Sequence, residues 1–150
     1  MSRKLWNFEQ IGYLVVLLIA ILFRFPKLGF VPLSDQEAGL ALDAINLVGS
    51  TSLKYTDQIL LINLSGILTF IFGQNDLIIR LLPAVFGCLL VVTPYFFRYH
   101  FDKKVLFIVS IWLAIDPGFV ALSRQVNSDL LILLLGSWFA LLLINKKYNL

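Results

Sequence analysis

The chain has 150 residues, 59% of them hydrophobic and only 14% charged, with a mean hydropathy of +0.89 and a formal net charge of +3. An apolar share this large exceeds that of an ordinary soluble domain and marks an integral membrane protein, and the basic residues are dispersed over the ends of apolar runs, which argues against a nucleic-acid surface. One cysteine, Cys88, and one histidine, His100, exclude an intramolecular disulfide and a Cys/His zinc site.

Four runs have about the length needed to cross roughly 30 Å of hydrocarbon: Ile11 to Phe25, Leu81 to Phe97, Val105 to Leu122 and Leu130 to Ile144. Trp6 and Arg24 flank the first. Tyr95, Trp112, Trp138 and Tyr148 form partial aromatic belts on the others. A cleaved signal peptide is the rival reading of the start, but "FRFPKLGF" offers no small-x-small cleavage site, so the first run is read as a retained helix.

A fifth apolar run, residues 57–73, is interrupted by Asn63, Ser65, Gly66 and Thr69, and the placement of charge decides how it lies. If it stays on one side, Arg3, Lys4, Arg98, Lys103, Lys104, Lys146 and Lys147 are cytoplasmic, seven against five (Arg24, Lys27, Lys54, Arg80, Arg124). If it crosses, only Arg3, Lys4, Arg80 and Arg124 are inside, four against eight. The positive-inside rule favours four spans in the cell membrane with a cytoplasmic N-terminus, and places residues 57–73 along or dipping into the outer interface. Residues 26–80 then form one long outer loop. No repeat, low-complexity tract or linker divides the chain, so residues 1–150 read as one all-α transmembrane module.

Within the outer loop, "LSDQEAGLALDAINLVG" reads as a short helix with Ser34 and Glu37 as a capping box, Leu33 and Ala38 as a hydrophobic staple and Gly49 as the stop. At 100° per residue Ala38, Ala41, Leu42, Ala44, Ile45 and Val48 share the apolar face, while Asp35, Gln36, Asp43 and Asn46 share the polar arc. Asp43 is thus expected in solvent, and Asp35 complements the helix dipole. Glu37 falls on the apolar flank, where desolvation is expected to raise its pKa toward the range useful to a general base, although capping alone also accounts for it.

Arg80 opens the second span and Arg124 closes the third; each is a snorkelling anchor by itself, and together they have the chemistry of a phosphate clamp, with Asp129 as a partner of Arg124. Asp116 precedes Pro117 inside the third span, about 9 Å from its outer end. It is either a functional intramembrane acid or the group that satisfies a proline kink. A small four-span transporter would need such an acid, but the first span holds none. His100 has no ligand partners near it in sequence and reads as a surface residue.

Three segments, "RFPKLGFVPLSDQEAGLALDA", "FGQNDLIIRLLPAVFG" and "LAIDPGFVALSRQVNSD", resemble in this order the front of polyprenyl-phosphate-sugar glycosyltransferases of the C-type superfamily, above all the protein-mannosyltransferase-like family 39. The resemblance covers about residues 20 to 130. It implies amphipathic juxtamembrane helices in the first outer loop and transfer of a sugar from a polyprenyl-phosphate donor to an acceptor at the outer face. It also implies membrane lipid as a partner, a divalent metal as an open question, and a longer enzyme or a further polypeptide that completes the site, the chain alone being inactive. Glu37 matches the motif's glutamate, with Asp35 displaced by one residue because Gln36 stands where the family has aspartate. Arg80 and Arg124 match its recurrent arginines, and Asp129 the acid that follows. "TDQ" at residues 56–58 stands where many members have His-Pro-Pro. The alternative is a non-catalytic module that binds a lipid phosphate or a partner protein.

Overall fold

The computed structural model describes residues 8–30, 32–48, 58–73 and 75–148, and among these all regular structure is helical, with no strand. In chain order the helices are α1 (Phe8–Arg24), α2 (Asp35–Val48), α3 (Ile59–Phe72), α4 (Asp76–Phe96, closed by a 3-10 turn Phe97–Tyr99), α5 (Lys103–Ile115), α6 (Pro117–Leu122) and α7 (Asp129–Tyr148). Gly49 as the stop of α2, Lys54 and the first two residues of "TDQ" lie outside the described residues, as do Arg3, Lys4 and Trp6.

Side-chain caps set the starts of α4 and α5. Asn75 accepts the Leu77 amide at 3.2 Å and opens α4, and Asp102 accepts the Lys104 amide at 3.1 Å and opens α5. α4 is the axis of the bundle: α1, α3, α5 and α7 pack against it, α1 also meets α5, and α2 is carried on α3. One cluster joins Leu40, Ala41 and Ala44 of α2, Leu61 and Ile62 of α3, Ile79 of α4 and Val126. A second joins Val16, Ala20, Cys88, Val91 and Ala114, and a third joins Leu90 to Leu130 and Leu134.

Two segments are long and apolar enough to cross a membrane, Asp76–Tyr99 with 24 residues and Asp129–Lys146 with 18. α1 has 17 residues and α3 has 14. Much of the surface is apolar, with Leu22 at 68%, Phe70 at 75% and Leu142 at 63% exposure. Apolar faces of this extent suit contact with lipid or with another protein.

The third predicted span is not one helix. A residue before proline is driven out of the helical region, and Asp116 sits at φ −55°, ψ 121°, so that α5 ends and α6 begins afresh at Pro117. The Asp116 carboxylate accepts the Phe119 amide at 3.0 Å and caps α6. The break leaves the carbonyls of Leu113 and Ala114 without donors four residues on, because Pro117 has no N–H and Gly118 belongs to the first turn of the next helix.

Arg24 supplies those donors. Expected as a flanking anchor on the outside, it is instead 1% exposed: Nη2 donates to Leu113 O at 2.8 Å and Nη1 to Ala114 O at 3.2 Å and Ala20 O at 3.4 Å. A cation at the C-terminal end of α5 also complements that helix's dipole. Gly87 of α4 makes room for it, since a Cβ there would meet Arg24 Nε at 2.9 Å and Ser123 Cβ at 2.7 Å.

The face assigned to α2 also needs correction. Asp43 is 3% exposed and engaged there, while Leu42 is 59% exposed. The buried arc is centred on Leu40 and Ala44, where α2 comes so close to α3 that a Cβ on Gly66 would lie 3.0 Å from Ala44 O. Packing on α3 decides which arc of α2 is buried, and a single outward leucine is ordinary on a protein surface.

Replacing Arg24 by methionine is expected to lower stability in detergent by about 2 kcal/mol, the cost of leaving buried carbonyls without donors. In a Pro117→Ala background, where residue 117 regains an N–H for Leu113 O, the same replacement is expected to cost clearly less. A double-mutant cycle by chemical denaturation measures the coupling; equal losses in both backgrounds would show that Arg24 does not serve the break.

Candidate functional site

The site begins with the capping box. The Ser34 amide donates to Glu37 Oε2 at 2.9 Å and the Glu37 amide to Ser34 Oγ at 3.4 Å, which fixes the glutamate side chain over the first turn of α2. The same Oε2 takes Arg80 Nη2 from α4 at 2.8 Å, and Oε1 takes the amide of Val126, between α6 and α7, at 2.9 Å. Capping and ion pairing, which compete for the carboxylate on paper, are thus served together, because its two oxygens offer about four lone-pair directions.

Glu37 is 6% and Arg80 5% exposed. Desolvation pushes the carboxyl up, but the hydrogen bonds from Arg80, Ser34 and Val126 outweigh it and hold the group below its ordinary 4.5. The expectation of a raised pKa is therefore overturned. Burial and the capping-box amide of Ser34 were foreseen; the cation of Arg80 and the amide of Val126, brought from two distant segments, were not.

The two arginines also pin the loop that follows α1. Arg80 Nη1 donates to Leu28 O and Nη2 to Pro32 O, each at 3.2 Å. Arg124 Nη2 donates to Pro26 O at 3.0 Å and to Lys27 O at 3.5 Å. Neither forms an isolated anchor at a helix end.

Between these groups lies a cavity of about 780 Å3, walled by Lys27, Leu28, Pro32, Ser34, Gln36, Glu37, Gln58, Arg80, the 121–122 and 124–127 segments and Asp129. Of the candidates, Glu37, Arg80, Arg124 and Asp129 therefore share one space. Asp35 is exposed and outside the lining, and Gln36, its neighbour at the position of the motif's aspartate, is part of it. Asp116 lies outside it as the cap of α6. His100, half-buried at the other end of the bundle, meets Asn145 Oδ1 through Nε2 at 2.7 Å. Among the described residues no three of His, Cys, Asp and Glu gather to hold a metal ion, and the ion-paired Glu37 with Asp129 does not make such a donor set.

Two residues of this region escaped the reading of the sequence. Arg24 was legible in principle, since Pro117 announces a carbonyl in need of a donor. Lys27 lies in "PKLG", a turn signal, and its backbone is left-handed at φ 55° while its side chain lines the cavity.

Replacing Glu37 by glutamine is expected to cost about 3 kcal/mol, because a buried guanidinium is left without its counter-charge. The pH dependence follows from the lowered pKa: the unfolded chain binds the proton first, so the pair's contribution is complete above pH 4.5 and is lost as pH falls below it toward the folded value. Unfolding curves of wild type and Glu37→Gln in detergent should converge on acidification; a gap that stays constant to the lowest accessible pH would contradict this. No protein-family profile, curated protein or solved structure matches the chain.

Proposed function

We propose that the chain is the N-terminal module of a membrane glycosyltransferase, and that the cavity receives the phosphate and sugar of a polyprenyl-phosphate donor at the outer face of the cell membrane. The observation that carries this reading is convergence. Glu37, Arg80 and Arg124 come from three separate segments and, with Lys27 and Asp129, line one cavity of a size suited to a small polar headgroup. The three cations outnumber the two carboxylates around it, and one cation is already balanced by Glu37, so the remaining field favours an anion.

Transfer to an acceptor hydroxyl needs a base on one side of the anomeric carbon and charge neutralisation on the departing phosphate. In the present arrangement Glu37 has its oxygens taken and its proton affinity lowered, so it serves as the support of Arg80 and of the α6–α7 wall. That same saturation favours a second reading, a module that binds the lipid phosphate without transferring the sugar. Under the transferase reading, the base comes from a group other than Glu37.

The topology that goes with this reading has four crossings, α1, α4, the broken pair α5–α6, and α7. α3, with Ile67, Phe70, Ile71 and Phe72 outward, lies in the outer leaflet. At 1.5 Å per residue its 14 residues reach about 21 Å, short of the hydrocarbon thickness. Single cysteines at Phe101 and Asn127 in a Cys88→Ala background should react with impermeant thiol reagents from the cytoplasmic and the outer side respectively; reaction of both from one side would refute four crossings. A photoreactive polyprenyl phosphohexose should crosslink to peptides holding residues 27–37 and 121–129. Crosslinks confined to the lipid-facing side of α7 would remove the basis for the donor reading.

A further inference from the structure

The cavity holds three cations, but they are not equally free to bind. Arg80 is committed to Glu37 and to the carbonyls of Leu28 and Pro32, and Arg124 places one terminal nitrogen on the carbonyls of Pro26 and Lys27. Lys27 is exposed, lines the cavity, and has no hydrogen-bond or ion-pair partner for its ammonium among the described residues.

The backbone of Lys27 adds a second and independent observation. It is the one non-glycine residue with positive φ among those described, at 55°. That conformation is unfavourable for a residue that carries a side chain and costs glycine nothing. Strain of this sort persists only where the surroundings impose it, and here they do: Phe25 O accepts the Leu28 amide at 3.3 Å, Lys27 O accepts the Phe30 amide at 3.2 Å, and the two arginines hold Pro26, Lys27 and Leu28 by their carbonyls. A turn so built is a place for glycine, yet the residue there carries a long cationic side chain on a cavity wall. Backbone needs do not account for it.

We propose that Lys27 is the residue that seats the anionic phosphate in this cavity, its ammonium acting with the donors of Arg124 that the loop carbonyls leave unused, while Arg80 remains part of the frame. This rests on the reading of the cavity as a lipid-phosphate site and assigns the binding group within it. A compact ammonium suits a phosphate oxyanion as a mobile point charge, whereas Arg80 is fixed by the bonds it already makes.

The test separates backbone from side chain because the two move in opposite directions. The full chain is placed in neutral phosphatidylcholine nanodiscs, and binding of polyprenyl monophosphate, phosphatidic acid and inorganic phosphate is measured for wild type, Lys27→Gly, Lys27→Asn and Lys27→Arg. Asparagine tolerates the left-handed backbone without supplying charge. The unfolding temperature of Lys27→Gly is expected to equal or exceed that of wild type. Its affinity for polyprenyl monophosphate is expected to fall roughly tenfold or more, with Lys27→Asn falling likewise and Lys27→Arg retaining most of the binding. Equal binding of phosphatidic acid would assign the phosphate headgroup as the ligand whatever its chain, and binding of inorganic phosphate alone would assign the free ion; loss in the glycine and asparagine variants supports Lys27 in each case. Wild-type binding that survives both substitutions would overturn the role of Lys27 and leave the cavity reading standing. No binding of any phosphate by the wild type would overturn both.

Discussion

Glu37 and Arg80 form the contact on which the cavity end of the molecule depends. Their 2.8 Å pair is closed off from solvent and joins α2 to α4, and the spare lone pairs and N–H groups of the two side chains bind Ser34, Val126, Leu28 and Pro32. A buried pair seldom contributes much net stability relative to apolar groups of the same shape, but removing one partner is severe. Its use here is therefore placement: it fixes where the loop after α1, the start of α2 and the α6–α7 connection stand relative to one another. The cavity is the space those three segments leave.

A wider constraint lies behind that contact. In an apolar environment every break in a helix exposes carbonyls that water does not reach, so the protein must bring donors of its own. Arginine, with five N–H groups on a rigid plane, is suited to the work. Arg24 serves Leu113 and Ala114 at the proline break; Arg80 and Arg124 serve the loop from Pro26 to Pro32. Read along the sequence, these three residues are isolated charges at the ends of apolar runs. In space each mends a place where the backbone departs from a helix, and the departures are what allow the chain to enclose a polar space.

How far the sequence disclosed this depends on the range of the physics involved. The capping box of Ser34 and Glu37 was legible because its partners are three residues apart, and the helical character of each long apolar run was legible because it is periodic or continuous. The break at Asp116 was half legible: Pro117 signalled a kink, but the donor that satisfies the freed carbonyls, Arg24, lies 89 residues from its partner Leu113. The helical wheel of α2 misassigned Asp43 and Leu42, because which face is buried is set by the elements packed against the helix, and a wheel sees only the helix itself. Glu37's lowered pKa was out of reach for a similar reason. Burial alone argues upward, and the opposing bonds come from residues 43 and 89 positions distant.

The division between framework and function within the cavity follows from counting donors. A charged residue whose bonds are all directed at its own fold is held in a fixed position and offers little to a ligand. One whose head group stays unengaged while its backbone is held under strain is available and also restrained. Arg80 and Glu37 belong to the first kind and Lys27 to the second, with Arg124 between them. A motif match cannot make this distinction, since it weighs a residue by type and position alone; the bonding pattern does. It moves the search for the groups that touch a ligand from the paired acid and arginine to the turn immediately after α1.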